Sequence, residues 1–153
     1  MPTSDGSPVD GDLPFVDGHS VIVSAPAAAV WRSLAWWFAR PRRLAGAYAH
    51  LVAADPRRAT GRLFAQGASV PGFEVAEAEP ERLVRLTGRH LFSRYALVIT
   101  VTPSPDGTLL SAQTYAVFPG RHGWVYRGVV IGSGGHRLLV GRMLRTVRNH
   151  AQA

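Results

Sequence analysis

The chain has 153 residues, no cysteine and a formal net charge of +7, and all 17 of its basic residues are arginine. That length suits one domain with a sizeable core. The lack of cysteine excludes disulfides and thiolate metal sites, and no run approaches the ~20 apolar residues of a membrane span.

Charge is unevenly spread. Asp5, Asp10, Asp12 and Asp17 crowd the start, and no acid follows Asp106, whereas Arg121, Arg127, Arg137, Arg142, Arg145 and Arg148 do. The C-terminal third therefore reads as a basic surface. Residues 1–14, MPTSDGSPVDGDLP, are rich in Gly, Pro, Ser and Asp and are expected to form a disordered acidic tail ahead of a single domain at 15–153. They have neither a basic start nor an apolar core, so no signal peptide is expected, and the cytoplasm is the expected compartment.

HSVIVSAP, from His19, reads as a short strand in which Val21 and Val23 alternate with Ile22 and Ser24. Pro26 suits the first turn of a helix. Val30, Leu34, Trp37 and Phe38 then give that helix an apolar face, and Pro41 ends it. A second, shorter helix is expected over 42–53. Strands follow near 62–69, 73–79, 82–90, 94–102 and 108–118, punctuated by Pro71-Gly72, Pro80, Pro103, Pro105, Asp106-Gly107 and Pro119-Gly120. Such short links make antiparallel pairs. Residues 121–150 read as helical again, with Leu139, Val140, Met143, Leu144 and Val147 as the apolar stripe. Strand, helices, antiparallel strands and a long C-terminal helix make an α+β layout.

The cluster Gly132-Ser133-Gly134-Gly135 looks like a dinucleotide turn. It lacks the third glycine, where Arg137 stands, and has no downstream acid and no room for a further strand. Its expected role is to break the C-terminal helix or to precede it. The six histidines show no ligand-pair spacing, so no metal site is expected. No G-x-S-x-G elbow occurs. Glu74 and Glu77, three apart on a strand, are expected on opposite faces.

Alternation sorts the central strands. Val84, Leu86, Gly88 and His90 share one face, as do Tyr95, Leu97, Ile99 and Val101, and likewise Leu110, Ala112, Thr114, Ala116 and Phe118. These faces are mostly apolar, carry small residues, and include His90, Tyr95 and Thr114. Trp124 and Tyr126 lie just before the glycine cluster.

HSVIVSAPAAAVWRSL, residues 19–34, resembles the opening of the START-like superfamily, also called the SRPBCC or polyketide-cyclase and pollen-allergen-like group. The matching features are the strand, the Ala25-Pro26 step and Val30-Trp31 on the helix. GFEVAEAEPERLVRLTG is similar to that group's central hairpin, and the amphipathic C-terminal helix fits too. The resemblance implies a helix-grip fold: a curved antiparallel sheet wrapped around a long C-terminal helix, with two short helices after the first strand. The glycine break near 132–135 departs from that pattern. Members bind lipids, sterols, polyketides or hormones, and some cyclise or dehydrate aromatic polyketides.

The leading expectation is a non-catalytic binder of a hydrophobic small molecule, without cofactor, held in a cavity between the sheet and the C-terminal helix. The candidate lining is Trp37, Leu86, His90, Tyr95, Leu97, Thr114, Ala116, Phe118, Trp124 and His136. One alternative is a cyclase or aromatase in which His90, His136 or Tyr95 moves protons. The other is an interaction or stress-response module using the arginine face. Nucleic acid is not an expected partner, because basic and aromatic residues do not interleave. Titration with NAD, NADP, FAD and ATP is expected to give no saturable signal. A micromolar affinity lost on Gly134→Val would contradict this.

Overall fold

A computed structural model describes residues 13–40, 54–56, 59–130 and 134–153. The elements are β1 (Phe15–Val23), α1 (Ala27–Ala39), β2 (Ser69–Val70), β3 (Phe73–Glu79), β4 (Leu83–His90), β5 (Ser93–Ser104), β6 (Gly107–Val117), α2 (Gly120–Val130) and α3 (Gly135–Ala151). All strands pair antiparallel in one open, curved six-stranded sheet of order β1-β6-β5-β4-β3-β2. The turns anticipated at Pro80, Asp106-Gly107 and Pro119-Gly120 separate these elements. This is the α+β, helix-grip-like architecture.

One face of the sheet is the core face. Val23, Val84, Leu86, Ile99, Val101, Leu110 and Ala112 are buried there, against Val30, Leu34 and Phe38 of α1 and Val140, Met143, Leu144 and Val147 of α3. Helix α1 starts at Pro26, whose carbonyl accepts from the Ala29 and Val30 amides. It stops where Arg40 turns extended ahead of Pro41. Its far end is pinned to that of α3: His150 Nδ1 lies 2.9 Å from Ser33 Oγ, and Trp36 stacks on the His150 ring at 3.8 Å.

Several expectations need correction. Residues 62–69 are not a strand; turns occupy 61–67, and only Ser69–Val70 pairs. Gly61, Phe64 and Gly67 all have φ between 58° and 81°, which excludes extended pairing, and Phe64 packs instead on Trp31 and Phe38. The first strand begins at Phe15, four residues earlier than expected. Glu74 and Glu77 lie on the same, outer face, because the register shifts between Val75 and Glu77 and sets them opposite Thr87 and Arg85. Leu139 is not part of the buried stripe but is 69% exposed. The expected helix at 42–53 and the acidic tail up to residue 12 lie outside the described residues.

Two helices, α2 and α3, flank the glycine cluster, as the expected break near 132–135 requires, and Gly134 has φ +76° immediately before α3. Among the described residues no strands pair in parallel, so the βαβ setting of a dinucleotide site is absent.

The inward position of Gly88 is closely filled rather than open. A Cβ there would collide with the Gly72 carbonyl oxygen and lie 2.8 Å from the Tyr95 ring. Gly88→Ala is therefore expected to cost about 1–3 kcal/mol, read as a lower urea midpoint. An unchanged midpoint would show that the strand absorbs the methyl group freely.

Candidate functional site

The register places the candidate sheet residues on consecutive rungs of the core face. Asp17, Thr114, Leu97, Leu86 and Val75 oppose one another in a single row across β1, β6, β5, β4 and β3. The next rung holds Ala116, Tyr95 and Gly88, and beyond it His90 opposes Ser93. Alternation thus brings Leu86, Leu97, Thr114, Ala116, Tyr95 and His90 to one wall.

Two polar groups interrupt this wall. The first centres on Asp17, which is 93% buried, at 7% relative exposure. His136, in the first turn of α3, reaches back so that Nε2 lies 3.1 Å from Thr114 Oγ1 and 3.3 Å from Asp17 Oδ1. His19 Nε2 approaches Asp17 Oδ2 at 3.5 Å from the other side. Among the described residues, neither carboxylate oxygen of Asp17 nor His19 Nε2 has a partner in hydrogen-bond geometry. A buried carboxylate short of donors is costly; among the described residues Asp17 is approached by two imidazoles but held by no well-formed hydrogen bond.

Sequence reading nominated Thr114 and His136 but missed Asp17 and His19. The signal was available: alternation traced back from Val23 through Val21 and His19 arrives at Asp17. The register shift between Phe15 and Asp17 then sends Phe15 to the outer face, edge-on to Tyr115.

The second group lies at the far end of the wall. The Phe92 amide donates to His90 Nδ1 at 3.0 Å, which makes Nδ1 an acceptor and places the ring proton on Nε2, 3.1 Å from Ser93 Oγ. Phe92, Tyr95 and Tyr126 surround the ring, with centroids 4.8–5.9 Å away. Desolvation by this burial holds the His90 pKa below the ordinary histidine value. The Tyr95 hydroxyl donates to the Gly72 carbonyl at 2.6 Å. Phe118 joins the cluster through Tyr126.

The remaining candidates lie elsewhere. Trp37 is half-buried on α1 and packs edge-on to Phe38. Trp124 is 74% exposed on α2, turned away from the side that carries Gly123 and Tyr126. The proposed proton carriers therefore fall into two groups, His90 with Tyr95 and His136 with Asp17. Among the described residues no three His, Asp or Glu side chains are grouped as metal ligands, and no helix is long and apolar enough to cross a membrane.

The depressed His90 pKa has a consequence for stability. Since the unfolded chain binds the proton more readily, the contribution of His90 is fully present above the unfolded value and is lost as pH falls through that value toward the folded one. Between about pH 7 and about pH 5, His90→Asn, which keeps an acceptor for the Phe92 amide, is expected to flatten the fall in stability relative to wild type. Nitrogen-detected NMR should find the Nε2–H tautomer. A His90 titrating above the ordinary value would refute this arrangement.

No protein-family model matches the chain, and no curated protein matches it. Solved structures do. A protein from Rhizobium leguminosarum superposes with TM-score 0.55 at 14% identity, over 88% of this chain and 92% of that one. Protein CV1439 from Chromobacterium violaceum gives TM-score 0.54 at 19% identity, over 92% and 99%. A Polyketide_cyc-like protein from Corynebacterium glutamicum is more distant, with TM-score 0.42 at 15% identity over 89% and 88%. At such identities the likeness is one of fold, and the chain adopts the helix-grip-like α+β fold that its resemblance to the START-like superfamily implies.

Proposed function

We propose that the protein binds a hydrophobic small molecule, such as a lipid or polyketide, between the core face of the sheet and the C-terminal helix. The polar end of the ligand is anchored at Asp17, Thr114 and His136. The observation that carries this reading is the buried Asp17 carboxylate, which among the described residues has no partner in hydrogen-bond geometry, on a wall that also carries Leu86, Leu97 and Ala116. A pocket for a mostly apolar ligand combines apolar walls with a few convergent polar groups. Apolar contact would contribute ~25 cal/mol per Å² buried, while a ligand hydroxyl donating to Asp17 would relieve its missing hydrogen bonds.

A second reading has a specific observation in its favour. The approach of His136 Nε2 to Asp17 Oδ1 at 3.3 Å is a carboxylate–imidazole pairing of the kind used to move protons. In that case the same site would turn over a bound polyketide. Wild type would then change the mass or absorbance of an added poly-β-ketone, and His136→Ala would not, even at ligand concentrations that saturate the variant.

Nile red is expected to bind saturably to the folded protein. Ala116→Trp, which adds bulk to the core face on the rung of Tyr95, should abolish that binding while unfolding stays cooperative. Dodecanol should displace the dye better than methyl dodecyl ether, by tenfold or more for a hydrogen bond to a charged acceptor. Asp17→Ala, which removes the acceptor, should erase the preference. Undiminished dye binding in Ala116→Trp would contradict this pocket and favour an interaction module using the arginine face.

A further inference from the structure

The helices α2 and α3 carry most of the large apolar side chains that the described residues expose. On α2, Gly123 is buried and Tyr126 stacks on Phe92, which defines the inner side. The helical period of 100° per residue puts Trp124 and Val125 on the opposite side, with Arg121 between them, and Val129 on the flank. All three apolar residues are more than half exposed. The first turn of α3 adds Leu138 and Leu139, at 67% and 69% exposure. Isolated exposed apolar residues are ordinary, but five on two helices adjacent in sequence mark a candidate contact surface.

The charges identify that partner. Arg121, Arg127, Arg137 and Arg142 are exposed on the same two helices, and the chain carries no acid beyond Asp106 to neutralise them. We propose that α2 and the first turn of α3 dock on an anionic lipid bilayer, with Trp124, Val125, Leu138 and Leu139 entering the interfacial layer and the arginines meeting the headgroups. Tryptophan favours that layer, and short helices bearing an apolar side and arginines lie in the membrane plane rather than span it. A second copy of the chain fits less well, since a symmetric contact would press like charges together. The inference is independent of the proposed ligand, although His136 sits on the same turn of α3 as Leu138 and Leu139.

The experiment uses the full chain with extruded vesicles of phosphatidylcholine, alone or mixed with phosphatidylglycerol. Cosedimentation is expected with the mixed vesicles only and is expected to weaken as salt rises. Arg121→Gln and Arg127→Gln should each lower the partition coefficient roughly fivefold, as expected for one arginine at a charged surface. Trp124→Ser with Leu139→Ser should abolish binding with an unchanged circular dichroism spectrum. Should that double variant unfold, the two arginine variants still decide the matter. Equal binding to both vesicle types, or none, would overturn the proposal. So would a sedimentation-equilibrium dimer that Trp124→Ser converts to monomer, which would make this face a contact between copies.

Discussion

The pairing of β1 with β6 decides what faces the C-terminal helix. The two strands run antiparallel from Val23 opposite Thr108 to Asp17 opposite Thr114, and each residue in that register has one choice of face. A slip by one residue would turn Val21 and Val23 to the outside and withdraw Asp17 from Thr114. The register is held at its apolar end by the burial of Val23 and Leu110. At the other end Ala116 N donates to the Pro14 carbonyl. Ser20 and Ser111 join across the outer face at 2.9 Å. The apolar end is therefore specified by packing, and the polar end inherits its geometry.

That inheritance explains how a carboxylate comes to be buried. Among the described residues Asp17 has no partner in hydrogen-bond geometry. It stays inside because β1 as a whole must put Val21 and Val23 against the helices. His19 and His136 crowd it, yet neither meets it in good hydrogen-bond geometry. A buried polar group left without a partner is what a site that completes its polar contacts with a ligand presents. The His90 group shows the contrast. Its ring nitrogens are both engaged, its proton position is set by the Phe92 amide, and aromatic rings enclose it. His90 and Tyr95 thus look structurally satisfied, while Asp17 does not.

The core faces of β4, β5 and β6 were legible in the sequence because a half-buried antiparallel strand writes its burial with a period of two. Leu86, Leu97 and Thr114 fall on one rung as that period requires. What escaped the reading has local causes. The strand β1 starts among residues whose composition resembles a tail, so Asp17 was counted with the acidic segment. A one-residue register shift in β3 inverts the expected relation of Glu74 and Glu77. Left-handed backbone at Phe64 turns an apolar run into a buttress for α1. Leu139 and Trp124 obey helical spacing, yet hydrophobicity alone does not say whether a residue meets the core or an outside partner. The glycine break was readable from composition, and its consequence is the separation of α2 from α3.

Methyl carbon–proton NMR during titration with dodecanol tests the central claim most directly. If the core face holds the ligand with its hydroxyl at Asp17, shifts should appear at Leu86, Leu97, Thr114 and Ala116 and saturate together. Ile22 and Val98, on the outer side of the sheet, should stay still. Saturable shifts confined to outward methyls such as Val125, Leu138 and Leu139, with Thr114 and Ala116 unmoved, would contradict the account.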